Sequence, residues 1–423
     1  MKKVLIITYY WPPAGGPGVQ RWLKFVKYLR NFKIEPIVYI PEKPNYPLLD
    51  ASLEKDIPEG IQILSHKISE PYKLANLLSS KKTKRISSGV IQTKNQSTLE
   101  KLMLWVRGNF FIPDARKNWV VPSITFLSEV IEKENIDTII TTGPPHSVHL
   151  IGDGLKAKFD MKWLADFRDP WTSIGYHKKL KLTKSSQLKH KTLERQVLNN
   201  ADEIIVTSET TKSEFREITQ KPIRVITNGY DSSYQGGSNL DESFTITHIG
   251  SLLTGRNPKN LWKVLSEIAR ENAVFRADLQ LEFLGVVSQD VMDSLHRYEL
   301  EPYVKLKGYV SHASAVRKQR SAQILLLVEI DSEETKGIIP GKLFEYMSAR
   351  RPILAVGPEN WEVGQLIMET ETGEIFDYKT HSQLKDVILK WFRAYQNGKL
   401  SVTPKNIEKY SRRSLTEELS KLL

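Results

Sequence analysis

Twelve short apolar runs, alternating with longer stretches at helical spacing, constrain this chain more than any other feature. In the first half they are KVLIITYY, IEPIVYI, DTIITTG, KWLADF, EIIVTS and IRVITNG. In the second half they are TITHIG, LEFLGV, VKLKGYV, ILLLVEI, RPILAV and GEIFDY. Many are β-branched and apolar on both faces, as strands of a parallel sheet covered on both sides must be. Between them lie amphipathic stretches such as QRWLKFVKYLR, NLWKVLSEIARE and SQLKDVILKWFRAY. This alternation predicts an α/β chain of two doubly wound, Rossmann-like domains. A length of 423 residues accommodates them. The glycine-rich, polar stretch TNGYDSSYQGGSNLDES marks the boundary, giving a first domain over 1–230 and a second over 241–400. Residues 79–98, SSKKTKRISSGVIQTKNQST, read as a long flexible loop within the first domain.

Composition narrows the chemistry. The chain has no cysteine, so disulfides and thiolate metal sites are excluded. No apolar run approaches the ~20 residues that span a bilayer, and Met1–Ile7 reads as a strand rather than a signal peptide. These features fit a cytoplasmic protein. The formal net charge is +12, and two stretches account for it: 81–120 carries +7 and 161–200 carries +6. Such blocks attract anionic lipid, phosphorylated ligands or nucleic acid, or are simply solvated surface. No nucleic-acid-binding module accompanies them, so nucleic acid is the weakest of these partners.

Ligands of open α/β domains sit at the carboxyl ends of strands, and five strand ends stand out. The first is TYYWPPAGGPGVQRW. Gly15, Gly16 and Gly18 let backbone amides approach an anion at a helix start. A tight βα turn explains them equally well, and the spacing is not that of a dinucleotide fingerprint. In the helix that follows, Trp22, Phe25, Val26 and Leu29 should pack inward. Arg21, Lys24 and Lys27 are expected to face acceptor or membrane. The second strand end is TTGPPHSVH, where His146 is placed to hydrogen-bond a hydroxyl or phosphate, or else caps its helix. The third is LADFRDPW, where Asp166, Arg168 and Asp169 end an apolar strand, either as ligand contacts or as an internal Asp–Arg pair. The fourth is THIGSLLTGR, where Gly250 and Gly255 flank a loop and Arg256 could clamp a diphosphate or lie on the surface. The fifth is GIIPGKLFEY. Here Gly341, Lys342 and Leu343 offer amides and an amine at a helix start. Glu345 shares a face with Lys342, as a ribose contact or as half of an ion pair.

Taken together and in order, these motifs resemble the GT-B glycosyltransferases of family 4, which are retaining and depend on nucleotide sugars. The subgroup most similar builds bacterial O-antigen and capsule. The resemblance spans almost the whole chain. It implies two domains facing a cleft, with a final helix, 401–423, crossing back to the first domain. It also implies roles. The amides of Gly15 and Gly16 would meet the donor diphosphate. His146 would lie near the donor sugar, and Asp166 would face the acceptor, with Arg21, Arg168 and Asp169 beside it. Gly250, Ser251, Arg256, Gly341, Lys342 and Leu343 would hold the diphosphate, and Glu345 the ribose. Catalysis would rest on Arg256, Lys342, His146 and Asp166, with no metal or other cofactor. Two positions depart from the family pattern. Gly337 stands where E-x7-E has its first Glu, and Ser251 stands where many members carry Arg.

The implied activity is transfer of a hexose or N-acetylhexosamine from a UDP-sugar to a glycan or polyprenyl-diphosphate-linked acceptor. The basic blocks, with Trp105, Phe110 and Phe111, imply docking on the anionic inner face of the cytoplasmic membrane. Two rivals share the architecture. A nucleotide-sugar 2-epimerase would use Asp166 and Asp169 as acid and base. A non-catalytic sugar-nucleotide binder would explain Gly337.

Overall fold

The computed structural model describes residues 1–69, 98–178, 180–231 and 239–423. The expected loop 79–98 lies outside them except for its last residue, which opens the helix Thr98–Phe110. The chain divides into two compact units, Met1–Thr227 with Arg412–Leu423, and Asn228–Ser411. Residues 401–411, assigned to the first domain from the sequence, belong to the second unit. Ile407 and Tyr410 enter its core beside Phe344.

The first unit is a seven-stranded sheet in the order β3-β2-β1-β4-β5-β6-β7. The strands are β1 (Lys2–Thr8), β2 (Ile34–Glu42), β3 (Gln62–Lys67), β4 (Thr138–Gly143), β5 (Lys162–Phe167), β6 (Glu203–Val206) and β7 (Ile223–Val225). All pairings are parallel. Strand period sends alternate side chains to opposite faces. Leu5, Ile7 and Ile139 therefore join one apolar cluster, while Val4, Ile6 and Ile140 join another. The sequence missed β3. It is an edge strand whose side chains are mostly solvent-facing, so it has no apolar run to read.

The second unit is a six-stranded parallel sheet, β10-β9-β8-β11-β12-β13. Its strands are β8 (Phe244–Ile249), β9 (Leu279–Leu284), β10 (Val304–Gly308), β11 (Ile324–Val328), β12 (Ile353–Gly357) and β13 (Gly373–Asp377). Along β11, Ile324, Leu326 and Val328 enter one cluster and Leu325 and Leu327 the other. Strand order reverses between β1 and β4 in the first unit, and between β8 and β11 in the second. Those reversals open the crevices where such sheets take ligands.

Two helices cover one face of the first sheet. Pro17–Leu29 buries Trp22, Leu23 and Val26, and the C-terminal helix Arg412–Ser420 lays Leu415 and Leu419 into the same cluster. Leu419 is fully buried. Leu419→Ala should therefore cost the first unit about 2–5 kcal/mol, read as an earlier urea transition.

Candidate functional site

In the second unit, the loop after β8 and the helix Lys342–Ala349 approach closely because residue 250 has no side chain. Gly250 sits at φ 107°, and a Cβ there would lie 2.7 Å from the Lys342 amine. Tyr346 on the same helix accepts the Ile249 amide at 3.0 Å, fixing the helix to the end of β8. Arg256 follows one turn later and is gripped from two sides by Glu329, at 3.0 Å from Nε and 3.1 Å from Nη2. Glu329 follows the last residue of β11 and is buried, while Arg256 is partly exposed. Burial pushes the Lys342 amine down to about 8, and the Arg256 charge adds to the shift. The carboxylates of Glu329 and Glu345 oppose it.

The site thus brings Gly250, Arg256 and Lys342 together and adds Glu329, which sequence reasoning missed. The signal was present: ILLLV is an apolar strand ending in a glutamate. Its effect is electrostatic. One of the two expected cations arrives already paired. Three expectations need correction. The Gly250 amide donates to Leu284 at 2.7 Å and the Leu343 amide to Pro340 at 3.0 Å, so neither is open to an anion. Leu343 itself is core. The Glu345 carboxylate is not an open ribose acceptor, since it receives Gln319 at 2.8 Å and sits 3.1 Å from His312 Nε2. Gly341 caps the helix, and Ser251 is exposed on the loop.

In the first unit, Arg21 and Asp166 form an internal ion pair rather than acceptor contacts. Both are fully buried and 2.8 Å apart. Asp166 also receives Trp22 Nε1 at 2.7 Å and Thr142 Oγ1 at 2.8 Å. Burial pushes its pKa up, but Arg21 and these hydrogen bonds outweigh it and hold the carboxylate below its usual range. The rest of the Arg21 fork donates to the carbonyls of Thr227 and Ile226. A fully buried carboxylate engaged by Arg21, Trp22 and Thr142 does not face a substrate, so Asp166 and Arg21 leave the catalytic and acceptor sets. Lys24 is also buried, against Asp56 at 2.8 Å. Gly15 spends its amide on Leu48, 3.0 Å away, so it offers no donor to a diphosphate. Gly16 precedes the helix at φ 103°. Gly18 is required by Arg168: a Cβ there would fall 1.9 Å from Nη1. Arg168 straps the end of β4, donating to the Gly143 and Pro144 carbonyls.

His146 and Asp169 do come together, as walls of a 320 Å³ cavity at the carboxyl ends of β1, β4 and β5, with Tyr10, Trp171, His177 and His190. His146 is buried and stacks flat on Trp171, ring centroids 4.8 Å apart. Neither of its nitrogens has a partner among the described residues. Burial holds its pKa well below the ordinary value, so it is a neutral imidazole. His177 and His190 were not foreseen. Both come from the basic stretch whose charge drew the attention.

Residues 90–234 match the sequence model of Glycosyltransferase Family 4. The whole chain superposes on solved structures at low identity. Sucrose-phosphate synthase from Thermosynechococcus elongatus is 12% identical, with TM-score 0.62 and coverage of 100% of this chain and 98% of that one. TarM of S. aureus, crystallised with fondaparinux, alpha-GlcNAc-glycerol and UDP, is 13% identical, with TM-score 0.59 and coverage of 100% and 99%. The lipopolysaccharide outer core galactosyltransferase WaaB is 14% identical, with TM-score 0.57 and coverage of 100% and 98%. No curated protein matches the chain. The chain has the GT-B fold of these structures, and its residues 90–234 carry the match to Glycosyltransferase Family 4.

The buried pair gives a sharp test. Removing one partner of a buried ion pair strands the other charge. Asp166→Ala should cost about 3–5 kcal/mol of stability, whereas the double change Arg21→Met with Asp166→Leu should recover most of it. Urea unfolding of the three proteins measures the difference.

Proposed function

We propose that this enzyme moves a hexose or N-acetylhexosamine from a UDP-sugar to a glycan or polyprenyl-diphosphate-linked acceptor, with retention, in bacterial surface-polysaccharide synthesis. The observation that carries the reading is the Gly250–Lys342–Arg256 cluster at the strand reversal of the second unit. As the bond from C1 to the diphosphate oxygen breaks, its electron pair stays on UDP. Lys342 and Arg256 neutralise that charge where it develops. The acceptor oxygen bonds to C1, and its proton passes to the released phosphate oxygen. The route needs no metal. The relatives named with UDP and with lipopolysaccharide support the donor and the pathway by similarity alone. An epimerase of the same fold would need acid and base carboxylates. Asp166 is sealed in its ion pair, which counts against that rival. Conversion of UDP-GlcNAc to its 2-epimer without acceptor would revive it.

Lys342 sets the pH dependence. Its pKa is depressed to about 8, so it is charged below that pH and neutral above it. UDP should therefore bind with flat affinity near pH 7 and lose up to about tenfold per pH unit above pH 8. Lys342→Arg should abolish the decline. Arg256→Ala should lower kcat with a UDP-sugar by on the order of 10². Calorimetric titration across pH, with turnover of the variant, checks both.

Docking on an anionic membrane draws support from an adjacency. The helix Thr98–Phe110 meets the segment before the helix Lys184–Asn200, with Asn109 accepting the Thr183 amide at 2.8 Å and donating to Lys181. The described parts of the two basic stretches thus adjoin. Lys101, Lys181, Lys184 and Lys189 are exposed there with Leu102, Trp105, Phe110 and Leu188. Phe111, expected to insert with them, lines the cavity instead. Among the described residues no helix is long and apolar enough to cross a membrane. Clustered lysines contribute about 1 kcal/mol each near anionic lipid. The enzyme should float with phosphatidylglycerol vesicles and not with pure phosphatidylcholine, and Trp105→Ser with Phe110→Ser should weaken the binding.

A further inference from the structure

The two sheets open differently at their strand reversals. In the first unit β1 stays paired with β4 up to Thr8, its last residue. In the second, β8 pairs with β11 only at Ile246↔Ile324 and Thr247↔Leu325, although β8 runs on to Ile249 and β11 to Val328. Neither strand has ended there. β8 keeps its β9 partner through Ile249↔Leu284, and β11 keeps β12 through Val328↔Val356. The gap is therefore made locally, between these two strands alone.

The missing rung can be named. Rungs of a parallel ladder are evenly spaced. Continuing the register of Thr247 and Leu325 would put the Ile249 amide on the Leu326 carbonyl. Side chains take both groups instead. The Ile249 amide donates to the Tyr346 hydroxyl at 3.0 Å. The Leu326 carbonyl accepts from His248 Nδ1 at 2.9 Å. These side chains come from opposite faces of the sheet. By strand alternation His248 shares the face of Ile246, which joins one apolar cluster, while Tyr346 belongs to the other.

His248 is fully buried. Burial and the charges of Lys342 and Arg256 hold it well below its ordinary pKa, against the pull of the Leu326 and Ser251 carbonyls, so the ring is neutral. A neutral imidazole has one N–H and a carbonyl only accepts, so that proton sits on Nδ1. Nε2 is left without a hydrogen-bond partner among the described residues. An unpaired buried nitrogen is destabilising, and valine would suit a buried strand position better. What the histidine adds here is its bond to Leu326.

We infer that His248 and Tyr346 are positioning residues, a two-sided wedge that holds β8 off β11 and so keeps the Gly250–Arg256 loop and Lys342 at the spacing that takes a diphosphate. Closing the rung would draw Ile249 toward Leu326 and away from the Tyr346 helix, carrying Gly250 off the Lys342 amine. The inference rests on the proposed transferase reading and adds to it two residues that touch no substrate.

Amide exchange at Ile249, followed by NMR in the full chain, and calorimetric titration with UDP test the wedge together. Tyr346→Phe should strand the Ile249 amide and speed its exchange by about tenfold or more. Adding His248→Val frees the Leu326 carbonyl as well, so the rung should close. Exchange at Ile249 should then return to the wild-type rate or slower, while UDP affinity falls by about tenfold or more. A merely structural role would speed exchange further in the double variant. His248→Asn, whose side-chain amide can donate to Leu326 in the same way, should bind UDP as the wild type does. The inference is overturned by an Ile249 amide that stays fast in the double variant, by UDP affinity that the double variant keeps, or by His248→Asn binding UDP as weakly as the double variant. Should the double variant not fold, unchanged exchange at Ile249 in Tyr346→Phe overturns it. A wild-type chain that UDP fails to stabilise would instead sink the transferase reading, and the exchange rates would still judge the wedge.

Discussion

The carboxylate of Asp166 holds the first unit in register. It ends β5, yet it receives a hydroxyl from β4 and two side chains from the helix Pro17–Leu29. Through Arg21 it reaches the carbonyls of Ile226 and Thr227, where the chain leaves the unit. Two charges taken out of water are costly, and their attraction repays this only when the remaining donors and acceptors are satisfied. Here Asp166 accepts from three side chains and Arg21 adds two carbonyls. The network orients the helix, and the helix orients the glycines before it. Gly18 then fits against Arg168, which in turn straps the end of β4. The cavity wall at Pro144 to His146 follows directly from that strand end.

The architecture was legible because burial writes itself into composition. A strand covered on both faces must be apolar, and inner strands such as β1, β8, β11 and β12 are nearly so. The strand missed from the sequence, β3, lies at an edge with mostly exposed side chains. The sites were less legible, because a charged residue at a strand end looks the same whether it faces a ligand or a partner. Asp166 and Asp169 stand three residues apart in one motif. One is saturated inside the sheet, and the other is open to a cavity. Only the placement of Arg21, 145 positions earlier, separates them. Glu329 was hidden for the opposite reason, reading as the end of a strand rather than as the partner of Arg256.

The second unit shows how a cationic site is kept from being too cationic. Arg256 raises the cost of charging Lys342. Without Glu329 the lysine would lose its proton more readily still. With it, the amine stays poised near neutrality, and a bound diphosphate would supply the counter-charge that restores it. An arginine at Ser251 would add a third like charge to this cluster. Pairing Arg256 with Glu329 fits a site that lacks that arginine and spreads less positive charge over the same loop.

The first unit follows the reverse logic. Its imidazoles are kept neutral by the same desolvation that depresses Lys342, as burial lowers the pKa of both kinds of base. His177 and His190 are held down to about 4 and His149 to about 3. None carries charge at neutral pH. The charge of the cavity that His146, His177 and His190 line therefore comes from its other residues, among them Arg107, Asp114, Arg116 and Asp169. One physical effect, removal of water, thus yields different chemistries in the two units because the residues differ. Beside Arg256 it makes a titratable cation. Beside Trp171 it makes neutral hydrogen-bonding rings.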